Sequence, residues 1–580
     1  NTTGFQNTAV GNDVLGYNTI GNDNVGVGYR CMLFNTGSNN SGLGSNALRG
    51  NTTGSANVAL GTQALFSNTT ASFNTAVGYL ALYSNTTGNN NVAIGTYALD
   101  ANTTALENVA VGREALSNSN SNANTAVGHI SLRDTTSGVN NVGHGDRTLL
   151  LNTTGSFNTA LGSQALRSNT TSTNNVAVGY QALYDNTTGG AQTAVGFQAG
   201  YNYSDTEGWN TVIGYQAGYS SASASRITAV GFQAAKSHTS GRIAAFGYNS
   251  LYSNTTGTFN FAAGYNTLQA NSTGSYNTAL GSDALYSNTT ASNNTAVGYQ
   301  AMYANTTGQK NTAIGGNDAI LGSTLQNNTT GNSNTAVGFG VLHTNTTGTS
   351  NTGIGYRALA NNNANDNSAL GQFALLENTS GTANTALGWN ALRFNTTASN
   401  NTAVGHQALY DNTTGSLNIA LGYQALSNNT TADNNTAVGY QALFDNTTGT
   451  LNIALGNQAL ANNTTGYANT AIGVGALNSN TVGIFNTAIG RSALISNTGS
   501  YNTSLGWGSG NTVSTGSNNT LIGYNAQASS ATVSNEVTIG DASVDTVRMG
   551  NGDELYPVPA PASLSTASGS APSYSARAWV

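Results

Sequence analysis

Read as apolar and polar positions, the chain repeats one short phrase. In Asn401-Thr402-Ala403-Val404-Gly405-His406-Gln407-Ala408-Leu409-Tyr410-Asp411-Asn412-Thr413-Thr414-Gly415-Ser416-Leu417, an apolar pair precedes a glycine and a second apolar pair follows it. The rest is mainly amide, hydroxyl and glycine. With that glycine as marker, the phrase occurs 32 times between Gly11 and Gly540, and 24 of the 31 spacings are 17 residues. So strict a period defines a repeat array. Seventeen residues are too few for a helix pair and suit one coil of a β-solenoid. The pattern predicts two short strands per coil, at roughly 401–404 and 406–410, bent at the glycine between them. It predicts a turn at 412–415, where Asn and Gly tolerate positive φ and side chains bond local backbone. The marker glycines, among them Gly405, Gly422, Gly439, Gly456 and Gly473, are read as structural turn residues. Helix is disfavoured, because Asn, Thr and Gly recur in every coil and no stripe of 3.6-residue period is present.

The expected fold is therefore all-β, a parallel β-solenoid or β-roll. Stacked coils would satisfy one another's backbone groups and superpose like side chains as Asn, Thr and aliphatic ladders. At about 4.8 Å per coil, 31 steps would give a rod on the order of 150 Å. Successive strand residues point to opposite faces, so Ala403 and Val404 are expected on different sides. The large residue is expected to fill the interior and the small one to line a face packed on another chain. That pattern predicts a parallel homotrimeric fibre.

Composition narrows the function. Charged residues are only 6% of the chain, against roughly 25% in ordinary soluble proteins, and the net charge is −7. No basic face is available, so nucleic-acid binding is not expected. Disorder is not expected either, since 38% of residues are hydrophobic and recur in register. Cys31 is the single cysteine, so stability must come from the ladders rather than an intrachain disulfide. No apolar run suggests membrane insertion. The first residues, Asn1-Thr2-Thr3-Gly4, are the turn part of a repeat, which reads as the later part of a longer polypeptide.

The unit Asn435-Thr436-Ala437-Val438-Gly439-Tyr440-Gln441-Ala442-Leu443 resembles the β-roll repeats in the heads of trimeric autotransporter adhesins, although those coils are shorter. The longer period and the Asn-Thr-Thr-Gly turns look more like the repeat shafts of bacteriophage tail fibres. Asn535-Glu536-Val537-Thr538-Ile539-Gly540-Asp541 through Gly550 is similar to the segment that ends such shafts. Ser575-Ala576-Arg577-Ala578-Trp579-Val580 is similar to the opening of a C-terminal tail-fibre domain. The resemblance implies a virion-borne, extracellular fibre for host-cell attachment, with a surface glycan or outer-membrane receptor as partner. The alternative it leaves open is a bacterial surface adhesin or matrix fibre. An ice-binding solenoid is a third reading, from the Thr ladders.

The departures from the pattern are informative. All four prolines lie between 557 and 572, so the shaft is assigned to 1–550, a Pro/Ala/Ser linker to 551–574, and the start of a further domain to 575–580. Six extra residues between Gly315 and Gly338 predict a loop insertion within 316–337. In a belt at 197–246 the Asn-Thr-Thr turns give way to Tyr201, Tyr203, Asp205, Glu207, Trp209, Arg226, Lys236, His238 and Arg242. Tyr201, Tyr203 and Trp209 are the candidates for glycan contact, with a variant coil packing its own aromatics as the alternative. His144 stands where Val usually sits, so it is expected to face inward as a candidate metal or anion ligand near a threefold axis. Eighteen Asn-Thr-Thr sequences are formally N-glycosylation sequons, though turn chemistry explains them. No nucleophile elbow, phosphate loop, calcium repeat or Cys/His metal spacing occurs, and neither catalysis nor a cofactor is expected.

Overall fold

The computed structural model describes residues 2–204, 207–223, 225–318, 320, 322–544, 547–549 and 553–555. It forms two compact units, Asn1–Ser380 and Gly381–Val580. Each is a parallel β-solenoid without helix among its described residues. In the first, Thr8–Val10 pairs in parallel with Val25–Val27, that strand with Ser41–Leu43, and the series continues to Ser368–Leu370. In the second, the series runs from Thr385–Leu387 to Val537–Ile539. The register is one coil: Thr402 lies opposite Ile419, Ala403 opposite Ala420 and Val404 opposite Leu421.

Among the described residues, each regular coil forms one strand. The second predicted strand, 406–410, is a run of turns in which Gln407 (φ 55°) and Leu409 (φ 53°) adopt the left-handed conformation. Such residues carry a steric cost of about 1–2 kcal/mol each. Coil-to-coil hydrogen bonds offset it, with Gln407 N–H donating to Trp389 O (2.9 Å) and Leu409 N–H to Ala425 O (3.1 Å). The two bonds point to opposite neighbours, so the turn is laddered as fully as the strand. Gly405 (φ 134°) cannot be replaced without strain, and an added Cβ would run into the carbonyl of Gly422 in the next coil. Gly422, Gly439, Gly456 and Gly473 repeat the arrangement.

The interior reverses the expected assignment of faces. Ala403, Ala408, Leu409, Asn401 and Asn412 are buried, whereas Thr402 and Val404 point outward. The alanine, not the large residue, faces in, because the strand lies close against the opposing turn. Where the strand position is glycine, the facing residue is larger: Gly26 faces Val14, Gly42 faces Cys31, Gly143 faces Ser131 and Gly353 faces Val341. A Cβ on any of these four would lie 2.6–2.7 Å from that neighbour. Conversely, Val212 and Leu521 fill the space left where the usual Leu is Gly218 or Gly510. The core is thus filled to constant volume coil by coil.

Two buried Asn ladders complete the interior. Asn429 Nδ2–H donates to Asn412 Oδ1 of the preceding coil (2.8 Å) and to Ala432 O in its own turn (3.0 Å), and its Oδ1 accepts from Asn446 (3.0 Å). In the second ladder Asn401 Nδ2–H donates to Gly415 O (2.9 Å), while Asn418 N–H donates to Asn401 Oδ1 (2.9 Å). Buried amides are satisfied here at both ends, which is what permits so polar an interior.

At the insertion, Asn317–Asp318 and Gly322–Ser323 form an antiparallel pair. Asp318, almost buried, takes a bidentate ion pair from Arg357 (2.6 and 3.2 Å), tying the hairpin to the solenoid wall. After the last coil, Val547–Met549 pairs antiparallel with Asp553–Leu555, which lies inside the segment read as linker. The rest of that segment, and 575–580, lie outside the described residues, as does Asp205.

Candidate functional site

The belt is where both Asn ladders fail together. Along the first, Asn186 is followed by Tyr203, Ser221 and His238 before Asn254 resumes the series. Along the second, Ile227 and Ile243 stand between Asn210 and Asn260, and the strands there lengthen to four residues, Ile227–Val230 and Ile243–Phe246. The usual core Leu is also missing, being Gly200 and Gly218. The Tyr203 ring occupies the vacated volume: a Cβ on Gly200 would lie 2.7 Å from it.

That packing separates the three predicted contact residues. Tyr203 is fully buried and has no face to offer a sugar. Tyr201 is sandwiched between Tyr184 (4.9 Å, 4°) and Tyr219 (5.1 Å, 9°), so both its ring faces are covered. Burial, with Asp185 nearby, pushes its hydroxyl above the usual tyrosine range. Trp209 is the exception, 58% exposed, with the Arg226 guanidinium 5.3 Å from its ring centre. The expected sugar platform of three aromatics is therefore corrected to a single accessible ring.

His144 is likewise corrected. It lies at the outward strand position and is exposed, because the valine it replaces faces out. No group of three or more potential metal ligands occurs among the described residues.

Three features escaped the sequence reading. The residues after six successive marker glycines form a continuous stack, Tyr180, Phe197, Tyr215, Phe232, Tyr248 and Tyr265, with successive centroids 4.9–5.4 Å apart. Their faces are spent on one another, which stiffens the wall and leaves only edges to solvent. His238 takes an Asn place in the ladder: Asn254 Nδ2–H donates to its Nδ1 (2.6 Å), and its Nε2–H donates to Gly241 O (3.1 Å). Burial pulls its pKa down to about 4, only partly countered by the Gly241 carbonyl. The third is a column just before the strands, in which Trp209, Arg226, Arg242, Phe259 and Tyr276 occupy consecutive coils. Superposing each coil's residue just before its second-ladder position would have revealed it.

The sequons resolve on geometry. Every Asn of an Asn-Thr-Thr turn among the described residues is buried, and Asn51, Asn68, Asn85 and Asn102 each use Nδ2 in the ladder. The nitrogen that would carry a glycan is inside the solenoid, so a glycosylated coil cannot close. No model of a known protein family matches the chain, and no curated protein matches it in sequence.

Proposed function

We propose that this chain is the shaft of an extracellular structural and adhesive fibre, a parallel homotrimer of the kind that carries a phage tail-fibre tip to a host surface. The observation behind the reading is the outer face of the strands. Ile419, Leu421, Ile453 and Leu455 are each 45–46% exposed, and Val58, Leu60, Leu161 and Leu280 repeat the pattern in the first unit. A solenoid that needed no partner would place Thr or charge at both outward positions. Instead, the second outward position is Val, Leu or Ile on nearly every coil, an aliphatic column running from coil to coil, while the first is shared between Thr and Val or Ile, Thr436 standing between Ile419 and Ile453. This is the surface a second and third copy of the chain would cover. Threefold packing through these columns would add stiffness to a wall already laddered at every turn, and stiffness with reach is the work of a shaft. The receptor would be a glycan or outer-membrane protein met by the tip. A fibre anchored to a bacterial surface uses the same shaft, and a virion-attachment or membrane-anchoring segment next to the repeats would separate the two.

The assembly is tested by native mass spectrometry and sedimentation of the full chain. A trimer is expected, and Leu421→Glu combined with Leu455→Glu should dissociate it. A stable wild-type monomer would refute the assembly.

A further inference from the structure

We infer that the column through Trp209, Arg226, Arg242, Phe259 and Tyr276 is a lateral binding site for an anionic saccharide. The strand register aligns these residues on consecutive coils: Ile227 pairs with Ile243 and Ile243 with Asn260, so the residues just before them superpose. All five are exposed. Coils lie about 4.8 Å apart, so the two arginines are neighbours on one surface line, each guanidinium lying against the ring on its far side, Trp209 for Arg226 and Phe259 for Arg242. The chain has only 15 Lys and Arg in 580 residues, and no other two described cations share a column on consecutive coils. Elsewhere Arg113, Arg133 and Arg147 each sit against a carboxylate one residue away, Glu114, Asp134 and Asp146. In the column, Glu207 approaches Arg226 at 3.5 Å, and among the described residues no carboxylate lies within ion-pair distance of Arg242.

The aromatics frame this charge differently from the stacks elsewhere. Phe259 lies against Tyr276 (5.1 Å) on one side and under Arg242 (5.8 Å) on the other. Trp209 has Arg226 on one face, and the coil before it carries only Ala191 at this position. The indole is therefore the end of the run of large side chains and, among the described residues, has a face free of other rings. A planar indole face takes sugar C–H groups, while the two guanidinium forks take carboxylate or sulfate oxygens in bidentate fashion. An acidic saccharide chain lying along the fibre axis satisfies both, and a neutral sugar only the first. The position faces outward in ordinary coils too, as at Phe73, Phe157 and Tyr501, and what sets this stretch apart is that Trp209, Arg226 and Arg242 follow one another in it. The inference deepens the adhesive reading of the fibre and rests on it, but not on its oligomeric state.

The test uses the full chain in affinity electrophoresis through gels holding polygalacturonate, its methyl ester, or dextran sulfate. Retardation by polygalacturonate or by dextran sulfate is expected, each identifying the acid group recognised, and the methyl ester should retard it at least tenfold less. Arg226→Gln with Arg242→Gln should weaken binding at least tenfold, Trp209→Ala several-fold, and the isolated Arg491→Gln not at all. No retardation by either polyanion overturns the proposal, as does an equal response to the ester. Loss in Arg491→Gln as large as in the double variant, or indifference to Trp209→Ala, reduces the effect to unspecific charge attraction and also overturns it. The mass of each variant is measured alongside. A changed assembly in Arg226→Gln/Arg242→Gln would assign the column to a chain–chain contact instead, whereas a monomeric wild type that still binds would refute only the trimer.

Discussion

Acidification should open the belt before any other part of the first unit, and His238 is the reason. Its imidazole is held neutral by burial, at a pKa of about 4 against 6.5 for the free side chain. An opened coil therefore binds a proton between these values that the closed coil refuses. The closed state has its full stability above pH 6.5 and loses it as pH falls towards 4. At pH 4.5 the penalty is about 2.5 kcal/mol, close to a seventyfold rise in the open population. The geometry states the same thing: a proton on Nδ1 would place two donors face to face, because Asn254 Nδ2–H already points at that nitrogen across 2.6 Å. Hydrogen exchange, corrected for intrinsic rates and read over residues 227–260 at pH 7 and 4.5, measures this opening directly. His238→Asn gives this coil the residue type of the following one, Asn254, whose amide has no proton to gain. It should keep protection at pH 7 and abolish the acid loss, and Asn254 should retain its partner. Identical loss of protection in wild type and His238→Asn would refute the reasoning.

The ladders and the core make further predictions. Asn429→Leu takes from Asn412 Oδ1 its ladder donor, whereas Ala432 O keeps Asn418 Nδ2–H and Asn446 Nδ2–H keeps Gly449 O. At about 1–3 kcal/mol for the one orphaned buried group, protection in the coils on either side should fall by about that amount, and Asn429→Asp should do no better. Gly439→Ala combines a φ of 134° with a collision against the Gly456 carbonyl, and thermal melts should show a loss above about 3 kcal/mol. Gly42→Ala should destabilise through contact with Cys31 Sγ. Cys31→Ala on the same chain should rescue it, with a coupling of at least about 1 kcal/mol in a double-mutant cycle.

Much of the coil was legible in residue order. The seventeen-residue period announces a repeat array, and the recurrence of Gly405, Gly422 and Gly439 marks a backbone position no side chain fits. The Asn-Thr-Thr run reads correctly as a turn because Asn favours local hydrogen bonding wherever it stands. The direction of the side chains was not legible. Alternation says that Ala403 and Val404 oppose each other, but not which of them is inside. Preference for burying the larger residue gives the wrong answer, and with it the wrong placement of His144. The same limit applied to the belt. Tyr201, Tyr203 and Trp209 look alike as exposed aromatics in a list, yet one is sandwiched, one fills the space left by Gly200 and Gly218, and one is open.

The sequence by itself determined the period, the β class, the glycine corners and the points at which the repeat breaks, because each depends on what neighbouring residues can do locally. The tertiary structure alone decided which face is core, since that depends on the gap between strand and turn, and this gap admits alanine and little more. It also decided which residues meet. Trp209, Arg226 and Arg242 are separated by 17 and 16 residues along the chain, and only the hydrogen-bond register, which superposes coils of unequal length, places them on one line.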